Sequence, residues 1–158
     1  MLKKGFIMKY TLFLTLIFSL IACSNNTPSP KKSSFKASTV SKEFLQTLDF
    51  KGKELIAVPM GEHFYYIHKS GKKIQTVTYD NGPDEFQDGL ARTKVNGKIG
   101  FFNKNLEMIL PPVYDFAFPF HKGIAEICTG CKEKIEGENS MLDGGRWQKI
   151  DRNGLVIE

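Results

Sequence analysis

The chain repeats itself, and that limits its fold more than any single motif does. Sliding the sequence along itself by 35 positions lays Tyr66 on Phe101, Lys69 on Lys104, Ile74 on Ile109, Tyr79 on Tyr114 and Asp80 on Asp115. A slide of 34 then lays Phe86 on Phe120, Gly89 on Gly123, Leu90 on Ile124 and Ala91 on Ala125. A truncated third copy, "GRWQKIDRNGLVI", falls on "GKIGFFNKNLEMI" at a slide of 48, with "CTGCKEKIEGENSMLDGG" as the inserted stretch. A period of this length marks an architecture in which one supersecondary unit cannot bury its apolar face alone and stacks on the next.

The unit is written in β-strands. "ELIAVP", "HFYYIH", "KIQTVTY", "GLARTKV", "KIGFFN" and "GIAEIC" are rich in β-branched and aromatic residues and are separated by Gly, Asn, Asp and Pro. Asn96-Gly97 is a hairpin signal, because both positions of a tight two-residue turn need φ > 0. In Phe-x-x-Gly-[Leu/Ile]-Ala, an aromatic is brought to a turn whose glycine lets the backbone bend, and a strand follows. Pro111 and Pro112 donate no ladder hydrogen bond, so their segment belongs at an edge or at a crossover between sheets. The expectation is an all-β domain of tandem antiparallel β-hairpin repeats, about 34–35 residues each by this period, stacked into one small unit. "SKEFLQTLDF" allows a short helix before it, capped by Ser41, with Phe44, Leu45 and Leu48 on one side.

The N-terminal stretch is of a different kind. "MLKKGFIMKYTLFLTLIFSLIAC" carries Lys3, Lys4 and Lys9, then thirteen uncharged, mostly apolar residues from Tyr10 to Ala22. As a helix that run reaches only ~20 Å, short of a bilayer's ~30 Å core, and it has no polar face. A basic start, a short apolar run and small residues after it describe a secretory signal peptide. Met8 offers a second start that leaves a more compact signal. Leu20-Ile21-Ala22-Cys23 resembles the lipobox of bacterial lipoproteins, which implies cleavage after residue 22 and lipidation of Cys23. Two or more acyl chains give a stable anchor, and Ser24 after the cysteine is compatible, in that family, with transfer to the outer membrane. Residues 24–40, "SNNTPSPKKSSFKASTV", are too polar to fold alone. They read as a tether of roughly 20–25 Å reach, leaving 41–158 as the β domain.

Cleavage also changes the charge argument. The full chain is formally +5, but three lysines leave with the signal, so 19 basic residues face 17 acidic ones and the remainder is +2. No basic stripe interleaved with aromatics remains, so nucleic acid is not an expected partner.

The combined pattern resembles the WG-repeat (KWG) family of bacteria. Its carriers here are "FQDGLARTKVNGKIGFFNKNLEMILPPVYDFAFPFHKGIAEI" and "GGRWQKIDRNGLVI". The positions that bear the resemblance are Phe86, Gly89, Ala91, Gly97, Gly100, Tyr114, Phe120, Gly123, Ala125 and Trp147. Ile99 stands where the family has Trp, and Gln148 replaces the Gly after Trp147. The resemblance implies a β-rich interaction scaffold rather than an activity.

Cys128-Thr129-Gly130-Cys131 is the sharpest chemical feature, and three readings compete for it. Outside the cytoplasm a structural disulfide is expected. A redox dithiol of the thioredoxin kind wants a helix N-terminus to lower its first thiol's pKa, whereas this pair follows a strand. A zinc site needs two further ligands, and His63, His68 and His121 stand at no metal spacing. The carboxylates Asp80, Asp84, Glu85 and Asp88 lack the order of a calcium loop and are expected to be solvated. Phe116, Phe118, Phe120 and Trp147 are expected in the core, or in a groove where exposed. No catalytic, metal or cofactor motif is recognised. The sequence therefore points to a lipid-anchored envelope module, facing the periplasm from the outer membrane, that binds an envelope protein or cell-wall polymer without catalysis. The rival is an extracytoplasmic thiol redox enzyme using Cys128 and Cys131.

Overall fold

A computed structural model describes residues 37–136 and 139–157. The expected signal peptide, Cys23 and most of the expected tether lie outside the described residues. The described chain runs β1 (Ser38–Thr39), α1 (Lys42–Gln46), β2 (Leu55–Met60), β3 (His63–His68), β4 (Lys72–Thr76), β5 (Thr78–Tyr79) and β6 (Gly82–Pro83). It continues with β7 (Leu90–Val95), β8 (Lys98–Asn103), β9 (Met108–Tyr114), β10 (Phe116–Ala117) and β11 (Ile124–Thr129). β12 (Lys132–Glu136), β13 (Asn139–Asp143) and β14 (Arg146–Asp151) complete it. The protein is nearly all β, as the repeat predicts.

Three antiparallel meanders carry the fold. Their strand orders are β1-β4-β3-β2, then β7-β8-β9, then β10-β11-β14. Each repeat straddles two sheets: the first copy supplies β3 and β4 to one and β7 to the next, and the second supplies β8 and β9 to one and β10 and β11 to the next. The chain thereby stitches its sheets together. The inserted stretch after Cys128 becomes a separate hairpin, β12 paired with β13.

Local chemistry explains the turns. Asn96 (φ 50) and Gly97 (φ 78) close the β7–β8 hairpin in the predicted conformation. The Phe-x-x-Gly unit uses one backbone twice: Asp88 and Gly89 have φ 50 and 80, and Lys122 and Gly123 have φ 51 and 81. Asn103 Oδ1 accepts the N–H groups of Asn105 and Glu107, and Asp151 Oδ1 accepts those of Asn153 and Leu155. The second pair is the first displaced by 48 residues, so the third copy is real in three dimensions although its sequence match is short. The helix starts as expected, with Ser41 Oγ accepting Phe44 N–H at 3.2 Å.

The core lies on both faces of the middle sheet. Leu90, Ile99 and Phe101 point to one side, where they meet Ala117, Phe120, Ala125, Ile127 and Ile150 of the third sheet. Ala91 and Phe102 point to the other, against Ile74, Leu106, Tyr66 and Phe86. A sheet covered on both sides loses simple polar–apolar alternation, and residues 90–93 and 99–102 are all buried. β11 is covered on one side and alternates. The ordered chain also reaches further upstream than the Ser41 boundary. Ser38 and Thr39 pair with Lys73 and Lys72, Val40 N–H bonds Gly71 C=O, and Ala37 packs on the core. Four residues read as tether therefore dock on the domain.

Gly100 shows why its position is written as glycine. A Cβ there would stand 2.7 Å from Pro112 N and 2.8 Å from Leu110 O. β9 bulges across it, with register shifts between Ile99 and Phe101 and between Phe101 and Phe102. Beside position 148 the chain after β14 returns through the Ile150–Val156 bridge and the bond from Ile157 N–H to Lys149 C=O at 2.9 Å, with no proline pair crossing it. Gln148 is accordingly tolerated where the other copy needs Gly.

Candidate functional site

The two junctions between sheets are built differently. At the second, β9 turns directly into β10, which pairs with β11 through Phe116↔Cys128 and Ala117↔Ile127. At the first, the chain leaves β4 and makes an extra hairpin, β5–β6, before reaching β7. Its two-residue turn is Asp80-Asn81, with φ 46 and 60, conformations that Asp and Asn tolerate better than other non-glycine residues.

The extra hairpin is held by a buried ion pair. Arg92 is 6% and Asp84 4% exposed. Arg92 donates from Nη2 to Asp84 Oδ1 at 2.6 Å and from Nε to Oδ2 at 3.1 Å, while its backbone N–H reaches the same Oδ2 at 2.8 Å. The remaining Nη1 bonds the Ala117 carbonyl at 2.8 Å, tying the first junction to the second. Tyr66 hydroxyl donates to the Asp84 carbonyl at 3.0 Å, and burial pushes the Tyr66 phenol above its ordinary value. Bidentate guanidinium–carboxylate geometry satisfies charges that would otherwise be expensive to bury. The expectation of a solvated acidic loop is thus corrected at Asp84: it is a structural anchor, while Asp80, Glu85 and Asp88 remain exposed.

Above this pair lies a groove of about 710 Å³. Val77, Tyr79, Pro83, Phe116, Phe118 and Pro119 give it an apolar lining, and Asp80 and Glu85 stand at its rim. Phe116 and Phe118 pack edge-on with centroids 5.0 Å apart, and Trp147 joins them at 6.0 and 6.2 Å. Tyr79 is 70%, Phe118 47% and Trp147 38% exposed. Of the core-or-groove expectation for these rings, Phe120 takes the core position, meeting Phe101 at 4.8 Å, and the exposed Phe118 lines the groove with Trp147 beside it. The Trp of the third copy is a surface ring.

The other named positions are structural. Phe86 packs at 4.7 Å on Tyr66, Ala91 and Ala125 are buried, and Tyr114 packs against the core, where burial raises its phenol's pKa. Cys128 and Cys131 are joined as a disulfide at the end of β11, with Cα atoms 6.1 Å apart and both side chains buried. Gly145 closes over it: a Cβ there would fall 2.6 Å from Cys131 Sγ and 2.7 Å from Cys128 Sγ. Among the described residues no group of three or more His, Cys, Asp or Glu side chains could hold a metal ion. Sequence reasoning missed Arg92 altogether. The one signal for it was an arginine directly after the Leu90-Ala91 pair that opens the strand.

A series of small antiparallel sheets stitched together by repeating units, with a groove at one junction, defines a β-repeat protein. Residues 66–98 and 99–130 match the family model of the WG containing repeat, and the chain is a WG-repeat protein over those two units. The third copy, at 145–157, lies outside the match. No curated protein and no solved structure matches the sequence.

Proposed function

We propose that this chain is a non-catalytic binding module, anchored in the bacterial envelope by lipidated Cys23 and probing an envelope protein or cell-wall polymer with its WG-repeat domain. The observation that carries the binding reading is the groove at the first junction. Its wall is a hairpin that the second junction lacks, it is fixed by buried charge, and it leaves aromatic rings in water. Exposed aromatic clusters beside a preformed concavity are where binding energy concentrates, because little order must be created on contact. The anchor reading rests on residues 1–23 alone, and among the described residues no helix is long and apolar enough to cross a membrane.

The rival, a thiol redox enzyme, would use Cys128 and Cys131. Their burial under Gly145, at the end of a strand rather than at a helix N-terminus, weighs against it, since reactive cysteines are accessible and electropositively placed.

Two experiments on the full chain in its native envelope test the proposal. A photo-crosslinking residue at position 118 is expected to give a discrete higher-mass adduct. The same residue at Val113, equally exposed at 52% but outside the groove lining, is expected to give none. Equal yields at both positions would remove the groove from the account. Separately, Cys23→Ala is expected to move the protein out of the membrane fraction. Unchanged fractionation would sink the anchor.

A further inference from the structure

Resting on that binding reading, we propose that the groove at the first junction takes an extended cationic peptide segment, one that places lysine or arginine on either side of an apolar or proline side chain. Three observations carry this. The lining is aromatic and prolyl, with Val77, Pro83, Phe116, Phe118 and Pro119, so it accepts an apolar side chain rather than a fully hydrated one. The rim charges are both negative, Asp80 and Glu85, and both are exposed. Among the described residues the lining holds one cation, Arg92, which is spent on Asp84 and the Ala117 carbonyl and does not neutralise them. The site thus opposes in sign the rest of a chain that is net positive, and it presents carboxylates beside aromatic faces, both of which attract ammonium and guanidinium groups.

The wall is also built for an extended guest. β5 and β6 form only two register pairs, Thr78↔Pro83 and Tyr79↔Gly82. Asp84 N–H bonds the Val77 carbonyl at 2.8 Å at the base, and the ion pair to Arg92 fixes the carboxylate directly after it. A short hairpin pinned in this way stands as a fixed ledge, with Tyr79 displayed near its tip. Acidic polymers are repelled by the rim. A neutral glycan would leave the two rim charges without partners of opposite sign.

The test uses the full chain, whose single tryptophan, Trp147, lies beside the groove's Phe118 with ring centroids 6.2 Å apart and reports occupancy by fluorescence. Three probes are titrated: an end-blocked Lys-Pro-Phe-Lys-Pro-Lys peptide, its counterpart with Glu for each Lys, and a hexamer of N-acetylglucosamine. The lysine peptide is expected to give a saturable change. Affinity is expected to fall about tenfold in the double variant D80N/E85Q and about tenfold in Phe118→Ala, and to weaken severalfold at high salt. Asn is chosen at position 80 because it tolerates the left-handed turn, and an unchanged melting temperature shows that each variant is folded. A glutamate peptide that binds equally well would overturn the inference. So would no response to the lysine peptide, or a response indifferent to D80N/E85Q and to salt. Saturable binding of the oligosaccharide, lost in Phe118→Ala but kept in D80N/E85Q, would overturn the cationic-peptide inference while leaving the groove a binding site.

Discussion

The two junctions do the same mechanical job with different chemistry. At the second, the incoming chain pairs directly through its backbone: Phe118 N–H bonds Glu126 C=O at 2.9 Å and Asp115 N–H bonds Cys128 C=O at 2.9 Å, with the Asp115 carboxylate adding Gly130 N–H at 2.6 Å. At the first, Val77 N–H bonds Arg92 C=O at 3.1 Å, and then the extra hairpin carries the chain away. Asp84 returns to that place with a side chain, and its carboxylate takes both the Arg92 backbone N–H and the guanidinium. The lesson is that a repeat can absorb an insertion at a junction if a carboxylate replaces the strand hydrogen bond that the insertion displaces. The displaced chain then becomes free surface, and here that surface is a groove wall.

That contrast can be broken most severely at Asp84. Asp84→Ala leaves a buried guanidinium unpaired and is expected to destabilise the fold by about 3–5 kcal/mol, read by chemical denaturation. Its exposed neighbour Asp88 makes one contact of this kind, to Gly123 N–H at 2.7 Å, and Asp88→Ala should lose far less. The next effect belongs to the middle sheet, where β9 crosses β8. Gly100→Ala drives a Cβ into backbone atoms of Leu110 and Pro112, which cannot swing aside, and about 3 kcal/mol is expected, at the upper end for overpacking. Gln148→Ala, at the position 48 residues on, should stay within about 0.5 kcal/mol. If the two substitutions matched, the bulge would not explain the glycine.

The disulfide comes third. Cys128→Ser with Cys131→Ser opens a very short loop, for which chain entropy gives about 2 kcal/mol. Because the pair closes the end of β11, hydrogen exchange should accelerate at Thr129 and Gly130 before it does in β3 or β4. The smallest effect is electrostatic. Lys98 and then Gly130 N–H, at 2.6 Å, bond the Asp115 carboxylate and hold its pKa below the ordinary aspartate value. A depressed folded value means stability that is present above the unfolded pKa and lost as pH falls through the folded one. Melting temperature should therefore decline as pH drops below about 4, and Asp115→Asn should flatten that decline slightly. No change in slope would deny Asp115 this role.

What the sequence made legible was local. Asn96-Gly97, Gly89, Gly123 and the Ser41 cap announce themselves because backbone conformation is decided by one or two residues. The slide of 34 and 35 residues then orders those turns into a stack. The groove was not legible, because it depends on pairs distant in sequence. Asp84 lies among three other carboxylates and looks like them. Only the partner strand, eight residues on and folded back over it, distinguishes it. Trp147 reads as a core residue because tryptophan usually is one, yet beside Phe116 and Phe118 it stays 38% exposed. "ELIAVP" reads as a strand but not as part of a repeat, since its Ile56-Ala57 pair does not directly follow Gly52 as Leu90-Ala91 follows Gly89 and Ile124-Ala125 follows Gly123. The left-handed pair before it, with φ 49 and 77, is the same backbone under a different spelling.

The claim on which both the groove and its rigidity depend is that Arg92 is locked out of water by Asp84. Side-chain NMR of the arginine Nε–H groups measures this directly. The Arg92 signal should exchange with solvent orders of magnitude more slowly than those of Arg146 and Arg152, which are exposed, and it should join them in Asp84→Ala. An Arg92 Nε–H that exchanges at the same rate as the other two in the unmutated protein would contradict the account.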